Sequence, residues 1–188
     1  YNQEDVILIT DKSLLNSAKK YKIYRESHSN LKVFIATTED IYNEFNAGLP
    51  DVTSIRDFIA FAFHNSENKP KYVILWGDGH FDFRQIQYKQ ANFVPAYQVS
   101  DEYVLDFDEV YQSWETEDYY VRVQGNDLMI DLAIGRIPIR SDEQGLEMIE
   151  KINHYENTAS QDDWRTHIIM IADDGPAGDS YGGSLPFE

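Results

Sequence analysis

The chain has 188 residues, 42% of them hydrophobic, which is enough to bury one sizeable core. Its formal net charge of −17 disfavours nucleic acid and anionic membrane as partners, since both would repel it. Cysteine is absent, so the chain contains no disulfide, thiolate metal ligand or cysteine nucleophile. No apolar run reaches the roughly 18 residues of a membrane span, so we expect no direct membrane insertion by this segment.

Short apolar runs alternate with amphipathic helical patterns along the chain. The predicted strands cover residues 6–10, 32–37, 72–77, 131–136 and 168–172, and the predicted helices cover residues 13–27, 52–65 and 141–157. Because the strands lack polar alternation, we expect most of them to be parallel and buried on both faces of one sheet. The predicted fold class is therefore α/β, with helices on both faces of a parallel sheet.

One long stretch, residues 79–127, has no sustained helical period. It includes residues 101–118, which carry eight acids and no base, and the alternation over residues 94–98 suggests one short strand. Charge runs of this kind are usually solvated surface. We therefore expect an irregular acidic insertion within a single domain.

Acidic residues follow three of the predicted strands. Asp11 follows the first, Asp78 follows the third, and Asp173 and Asp174 follow the last. Ligands of parallel sheets bind at the carboxyl ends of the strands, so these positions are candidate site residues. For Asp173 and Asp174, metal binding, helix capping and the orientation of a catalytic histidine all remain open.

A calcium site is one interpretation of the oxygen-bearing residues. Asp78 lies between two glycines, and Asp127 and Asp131 alternate in phase on an extended segment. Calcium accepts six to eight oxygens, including carbonyl oxygens such as those of Gln124 and Met129. The alternative is structural: Asp78 caps a turn, and Asp131 pairs with Arg136 or faces water.

His80 lies close to Asp78 in the sequence, which makes it a possible catalytic residue. No serine or cysteine lies in a recognisable nucleophile elbow, and no second histidine has metal-ligand spacing. Proximity in sequence alone does not define such a site. A structural role is therefore the favoured interpretation of His80.

Six motifs in order resemble the gingipain-type cysteine peptidases. Two of them are Tyr72-Val-Ile-Leu-Trp-Gly-Asp78 and Asp131-Leu-Ala-Ile-Gly-Arg-Ile-Pro138, and the others cover residues 41–48, 51–58, 149–156 and 172–175. Each motif alone is weak, but their order and spacing match across nearly the whole chain. Within the family they are most similar to the sortases of the type IX secretion system of Bacteroidetes.

The resemblance implies a caspase-like fold of two subdomains, with the catalytic histidine and cysteine both in the second. The chain would be the first subdomain, inactive alone, and its partners would be the C-terminal subdomain and a peptide or protein substrate. Asp174, with Asp173 as the second choice, aligns with the acid that orients the histidine, where the gingipains have glutamate. The resemblance also implies structural calcium and a location at the outer membrane or surface of a Gram-negative cell. Its calcium ligands would be Asp78, Asp127 and Asp131, with the carbonyls of Gln124 and Met129.

Two alternatives remain at this point. The first is a non-catalytic, calcium-stabilised binding or structural domain that keeps the fold without the chemistry, since fold does not imply function. The second is a magnesium-dependent hydrolase that uses Asp78, Asp173 and Asp174. The second is disfavoured because the chain lacks the lysine, threonine or glycine-rich anion cradle that phosphate chemistry usually shows.

Overall fold

The computed structural model describes residues 4–80, 82, 86, 89, 91–100, 113–125, 127–158 and 163–170. Its strands are β1 (Val6–Thr10), β2 (Val33–Thr37), β3 (Tyr72–Trp76), β4 (Tyr97–Ser100), β5 (Ser113–Thr116) and β6 (Ala133–Ile137). Its α-helices are α1 (Leu15–Ser29), α2 (Thr38–Phe45), α3 (Val52–Asn65), α4 (Asp118–Val121) and α5 (Asp142–Asn153). A turn of 3-10 helix, Lys12–Leu14, precedes α1.

Four strands form a parallel sheet in the order β2-β1-β3-β6. In the register of its outer pair, Tyr72 lies opposite Ala133 and Trp76 lies opposite Ile137. The sheet confirms the predicted α/β class, and each of its strands begins within two residues of the predicted position. None of the helices in the described part of the chain is long and apolar enough to cross a membrane.

The core lies on both faces of the sheet. Every residue of β1 is buried, as a continuous apolar run predicts for a central parallel strand. On one face, α2 and α3 pack over a cluster that includes Ile55 and Ile59. On the other face, α1 and α5 pack over a cluster around Trp76, whose indole N–H donates to Ser17 Oγ at 3.0 Å.

Side-chain caps determine where several helices begin. Asp51 accepts a hydrogen bond from the Thr53 N–H, and Ser141 accepts one from the Gln144 N–H, as the capping patterns predict. Thr37 caps α2 in the same way, by accepting from the Asp40 N–H, and α2 was not predicted. The predicted helix over residues 141–157 ends as an α-helix at Asn153 and continues as a π-helical turn over His154–Thr158.

The π-helical turn is held against α1 by Glu156. This carboxylate accepts from Tyr24 Oη at 2.5 Å and pairs with Arg25 Nη2 at 2.8 Å. Burial alone would raise the pKa of Glu156, but the bonds from Tyr24 and Arg25 outweigh it and lower that pKa below its ordinary value. The carboxylate therefore stays charged and anchors the chain that leaves α5.

The insertion contains more regular structure than predicted. β4 and β5 form a two-stranded antiparallel ribbon, and the short α4 follows β5 directly. The strand predicted over residues 94–98 lies three residues later, because the backbone of residues 93–96 instead packs against the end of β3. Most of the acidic tract, residues 101–112, lies outside the described residues.

The strand predicted over residues 168–172 is wrong for the residues that the structure describes. Ile168, Ile169 and Met170 form no strand, and their exposed fractions are 85%, 85% and 90%. A strand requires a hydrogen-bonded neighbour, and no described strand lies beside this segment. Residues 171 and 172 lie outside the described residues.

Candidate functional site

The carboxyl edge of the sheet is built around Gly77, Asp78 and Gly79, which follow β3. Gly77 has φ +152°, a conformation that side-chain-bearing residues rarely adopt, and a Cβ added there would lie 2.8 Å from Phe93 Cβ. A Cβ added at Gly79 would lie 2.8 Å from the Val94 carbonyl oxygen. Both glycines are therefore required because the segment at residues 93–96 packs directly on this turn.

Backbone and side-chain bonds of Asp78 fix the same turn. Its carbonyl accepts from the N–H groups of Phe93 at 3.1 Å and Val94 at 3.2 Å. Its carboxylate Oδ2 pairs with Arg140 Nε at 2.6 Å, and the Asp78 side chain is only 18% exposed. The structure thus places Asp78, a candidate ligand from the sequence, in an ion pair that joins the ends of β3 and β6.

Arg136 of β6 connects the turn to the insertion. Its guanidinium donates to the carbonyls of Gly77 at 2.8 Å and Val94 at 2.6 Å, and it pairs with the Glu117 carboxylate. The Tyr120 hydroxyl donates to the Pro95 carbonyl at 2.5 Å, and burial raises the pKa of Tyr120, which keeps it protonated. The largely buried guanidinium of Arg136 thus satisfies carbonyls that the irregular backbone leaves unpaired.

A cleft of about 350 Å³ opens beside this turn, between the ends of β1 and β2 and the loops that bear Pro50 and Pro95. Its acids already have structural partners: Asp11 accepts from the Ser13 N–H, and Asp51 caps α3. Burial, reinforced by the charges of Asp51 and Asp11, raises the pKa of Tyr42 in the same cleft. The Tyr42 hydroxyl therefore stays protonated.

The predicted calcium ligands do not all meet. Asp78 follows the carboxyl end of β3, whereas Asp131 precedes the amino end of the parallel neighbour β6. The register separates them by on the order of 20 Å, so a single ion shared by Asp78 and Asp131 is wrong. In the described part of the chain, no three histidine or carboxylate side chains lie close enough to hold a metal ion together.

Asp127 and Asp131 both lie in the loop before β6. Asp131 Oδ2 accepts from the N–H groups of Val123 and Gln124, both at 2.8 Å, and Asp127 Oδ1 accepts from the Met129 N–H at 3.0 Å. The structural alternative for Asp131 was a pair with Arg136 or exposure to water. Instead its carboxylate fixes the backbone of residues 123 and 124, while Arg136 pairs with Glu117.

His80 belongs to the turn after β3. Its Nδ1 accepts from the Asp82 N–H at 3.0 Å, and its carbonyl accepts from Asn92 Nδ2 at 2.8 Å. Accepting at Nδ1 requires the proton of a neutral ring to lie on Nε2. These bonds support the structural interpretation of His80.

The candidate histidine-orienting acids, Asp173 and Asp174, lie outside the described residues. Two further contributors to the carboxyl edge, Arg136 and Arg140, were not predicted from the sequence. A signal for Arg136 was present, because a charged residue inside an otherwise apolar strand needs a partner when it is buried. The sequence contained no comparable signal for Arg140, because its partner Asp78 lies 62 positions away.

The fold and the edge define an α/β domain with a four-stranded parallel sheet and a turn at its carboxyl edge that is flanked by Gly77 and Gly79. The model of the family described as Peptidase family C25 matches residues 1–185. The chain therefore belongs to this peptidase family, and the predicted resemblance to the gingipains is confirmed. No curated protein sequence matches the chain significantly.

Two solved structures illustrate the shared fold. The structure of dimeric latent PorU from Porphyromonas gingivalis superposes with a TM-score of 0.67 at 22% identity and covers 88% of this chain. That of the Arg-specific cysteine proteinase gingipain R superposes with a TM-score of 0.58 at 21% identity and covers 81% of this chain. The chain spans 17% of the PorU chain and 28% of the gingipain chain. The matched proteins are thus several times longer.

Proposed function

We propose that the chain is the first subdomain of a gingipain-type cysteine endopeptidase domain and that it supports catalysis by a second subdomain of the same protein. The family match over residues 1–185 carries this proposal. The absence of cysteine from these residues agrees with it, because the nucleophile would then come from the remainder of the protein. The chain by itself would be inactive.

In the complete enzyme, a thiolate attacks the peptide carbonyl, and a histidine takes up and then returns the proton. We assign to this chain the acid that orients the histidine, Asp174, with Asp173 as the second choice. Such an acid holds the imidazole in the correct tautomer and stabilises its protonated form. We expect residues 173–183, which lie outside the described residues, to form one wall of the substrate cleft.

The isolated chain should show no peptidase activity on any peptide, with or without reductant and calcium, because it has no nucleophilic thiol. The measurement is hydrolysis of a mixed fluorogenic peptide library by the purified 188-residue chain. Turnover that persists through purification and disappears in Asp174→Asn would contradict the proposal. Asp142→Asn, which changes a helix residue outside the proposed site, controls for contaminating activity.

We further propose a sortase of type IX secretion in a Gram-negative bacterium, at the outer membrane or cell surface, acting on protein substrates. The support is the likeness to the PorU structure and the motif forms of residues 41–48 and 131–138. The net charge of −17 is compatible with basic segments in such substrates.

We also propose a structural calcium site, with fewer ligands than the sequence predicted. Asp127 and Asp131 lie in one loop with the carbonyls of Gln124 and Met129, and hard oxygen donors suit calcium. Asp78 is removed from this set because it lies at the other end of the sheet. The role of the ion would be structural, since it would hold the loop that leads into β6.

Calcium at about 1 mM, the order expected for extracellular sites, should raise the melting temperature of the chain, because the ion would bind only the folded state. Asp127→Asn should abolish most of that increase. The matched control is Asp78→Asn, which should preserve it. The calcium proposal would be contradicted if calcium did not raise the melting temperature, or if both variants lost the increase equally.

A further inference from the structure

The outer edge of β6 is unpaired, and the surface around it is apolar. The Ala133 N–H donates to the Lys71 carbonyl at 3.1 Å, and the Gly77 N–H donates to the Ile137 carbonyl at 3.0 Å, so these alternate residues bond to β3. The N–H and C=O groups of Ile134 and Arg136 therefore point away from β3. No strand of the described residues pairs with that side.

Three consecutive apolar residues precede this edge and are exposed. Leu128, Met129 and Ile130 have exposed fractions of 79%, 72% and 49%. Consecutive apolar side chains that are exposed on a folded domain usually mark a surface that contacts another element. Only Asp131 and Leu132 separate this run from β6, so the exposed side chains lie beside the amino end of the unpaired strand.

The face of β6 on the α1 and α5 side is also incompletely covered. An apolar groove of about 320 Å³ lies between α1 and the amino halves of β3 and β6, and its walls include Tyr72, Ile74 and Ala133. A Cβ added at Gly135 would meet no atom within 4 Å. α5, the nearest helix in sequence, has only Gly145 fully buried, so it does not seal this side.

We propose that a strand from the remainder of the same protein, outside this chain, pairs with the free edge of β6 and buries Leu128, Met129 and Ile130. This inference rests on the proposed function, in which a second subdomain completes the domain. A strand is the required element because the edge presents unpaired backbone donors and acceptors. The groove beside it accommodates apolar side chains of that strand.

A strand of the same protein is a better candidate partner for the free edge of β6 than a second copy of the chain. Each copy carries a net charge of −17, so two copies repel one another over long range. A tethered segment instead acts at a high effective concentration. The matched peptidase chains, of which this chain spans 17% and 28%, have ample further sequence to supply it.

Amide hydrogen exchange tests the pairing residue by residue, with the 188-residue chain compared with the longer protein that contains it. In the chain, the amides of Ile134 and Arg136 should exchange rapidly, while that of Gly135, which bonds to β3, should be slow. In the longer protein, Ile134 and Arg136 should slow by on the order of 100-fold. Rapid exchange at both positions in the longer protein, or slowing in the chain alone that grows with its concentration, would overturn the proposal.

A pair of surface variants provides the second arm. Leu128→Lys should accelerate exchange at Ile134 by about 10-fold or more in the longer protein, because it places a charge in the apolar contact. Ile23→Lys, at another exposed apolar residue, should leave that rate unchanged. Equal effects of the two variants would contradict docking at this surface. Slow exchange at Ile134 in a longer protein that lacks thiol-dependent activity would refute the proposed function and leave the pairing intact.

Discussion

Arg136→Ala should lower the free energy of unfolding of the chain by about 3 kcal/mol or more. The Arg136 side chain is 13% exposed, and its removal leaves Glu117 and the carbonyls of Gly77 and Val94 without their donor. Uncompensated buried charge and unpaired carbonyls are both costly. Urea denaturation at neutral pH, followed by circular dichroism, measures the change.

The control for Arg136→Ala is Lys22→Ala, which removes an exposed pair with Glu26 at 3.6 Å. That change should cost no more than about 0.5 kcal/mol, as is usual for surface pairs. Arg136→Lys should recover only part of the loss, because an ammonium cannot reproduce the planar set of donors. A loss below 1 kcal/mol for Arg136→Ala would show that the carbonyls find other partners.

Gly77→Ala should destabilise the chain by about 2–4 kcal/mol. The backbone at Gly77 has φ +152°, and the added Cβ would lie 2.8 Å from Phe93 Cβ, so backbone strain and overpacking act together. The added Cβ would displace the segment at residues 93–96, which bonds to the Asp78 carbonyl. The ion pair between Asp78 and Arg140 should therefore weaken as well. Denaturant titration gives the free energy, and exchange at the Phe93 and Val94 amides locates the disruption.

Gly135→Ala is the matched control for Gly77→Ala. Gly135 lies in a strand, and its added Cβ meets no atom within 4 Å. Replacing glycine there should be neutral or stabilise the chain by up to about 1 kcal/mol, because alanine restricts the unfolded chain. Similar losses in the two variants would contradict the view that close packing at the carboxyl edge makes Gly77 necessary.

The central sheet was predictable from the sequence because its strands combine two strong signals. β1 and β3 are continuous runs of β-branched and other apolar residues, and an acid follows each, Asp11 directly after β1 and Asp78 after Gly77. α3 and α5 were predictable from their caps, Asp51 and Ser141, followed by a helical apolar period. Local pattern and tertiary burial agree in these segments.

The positions of the candidate ligands were not predictable in the same way. The sequence shows that Asp78 follows one strand and Asp131 precedes another, but only the parallel register places them at opposite ends of the sheet. α2 was missed because it starts directly after β2, with Thr37 serving both elements. The antiparallel ribbon of β4 and β5 depends on a pairing across residues 101–112, which no local period specifies.

Residues 168–170 show how tertiary context overrides an apolar pattern. Their composition favours a strand, yet the described structure offers them no neighbour, and they are almost fully exposed. β6 differs from this segment, because it forms a strand but has a pairing partner on only one side among the described residues. Both features agree with our proposal that a second subdomain completes the domain.

The most direct test of the peptidase assignment is hydrolysis of peptides by the longer protein that contains this chain, before and after thiol alkylation with iodoacetamide. If the protein is a cysteine peptidase, cleavage should require reductant and be abolished by alkylation. Cleavage should also fall sharply in Asp174→Asn, and the 188-residue chain alone should cleave nothing. Folded longer protein that cleaves no peptide, or cleavage that resists alkylation, would contradict the peptidase assignment.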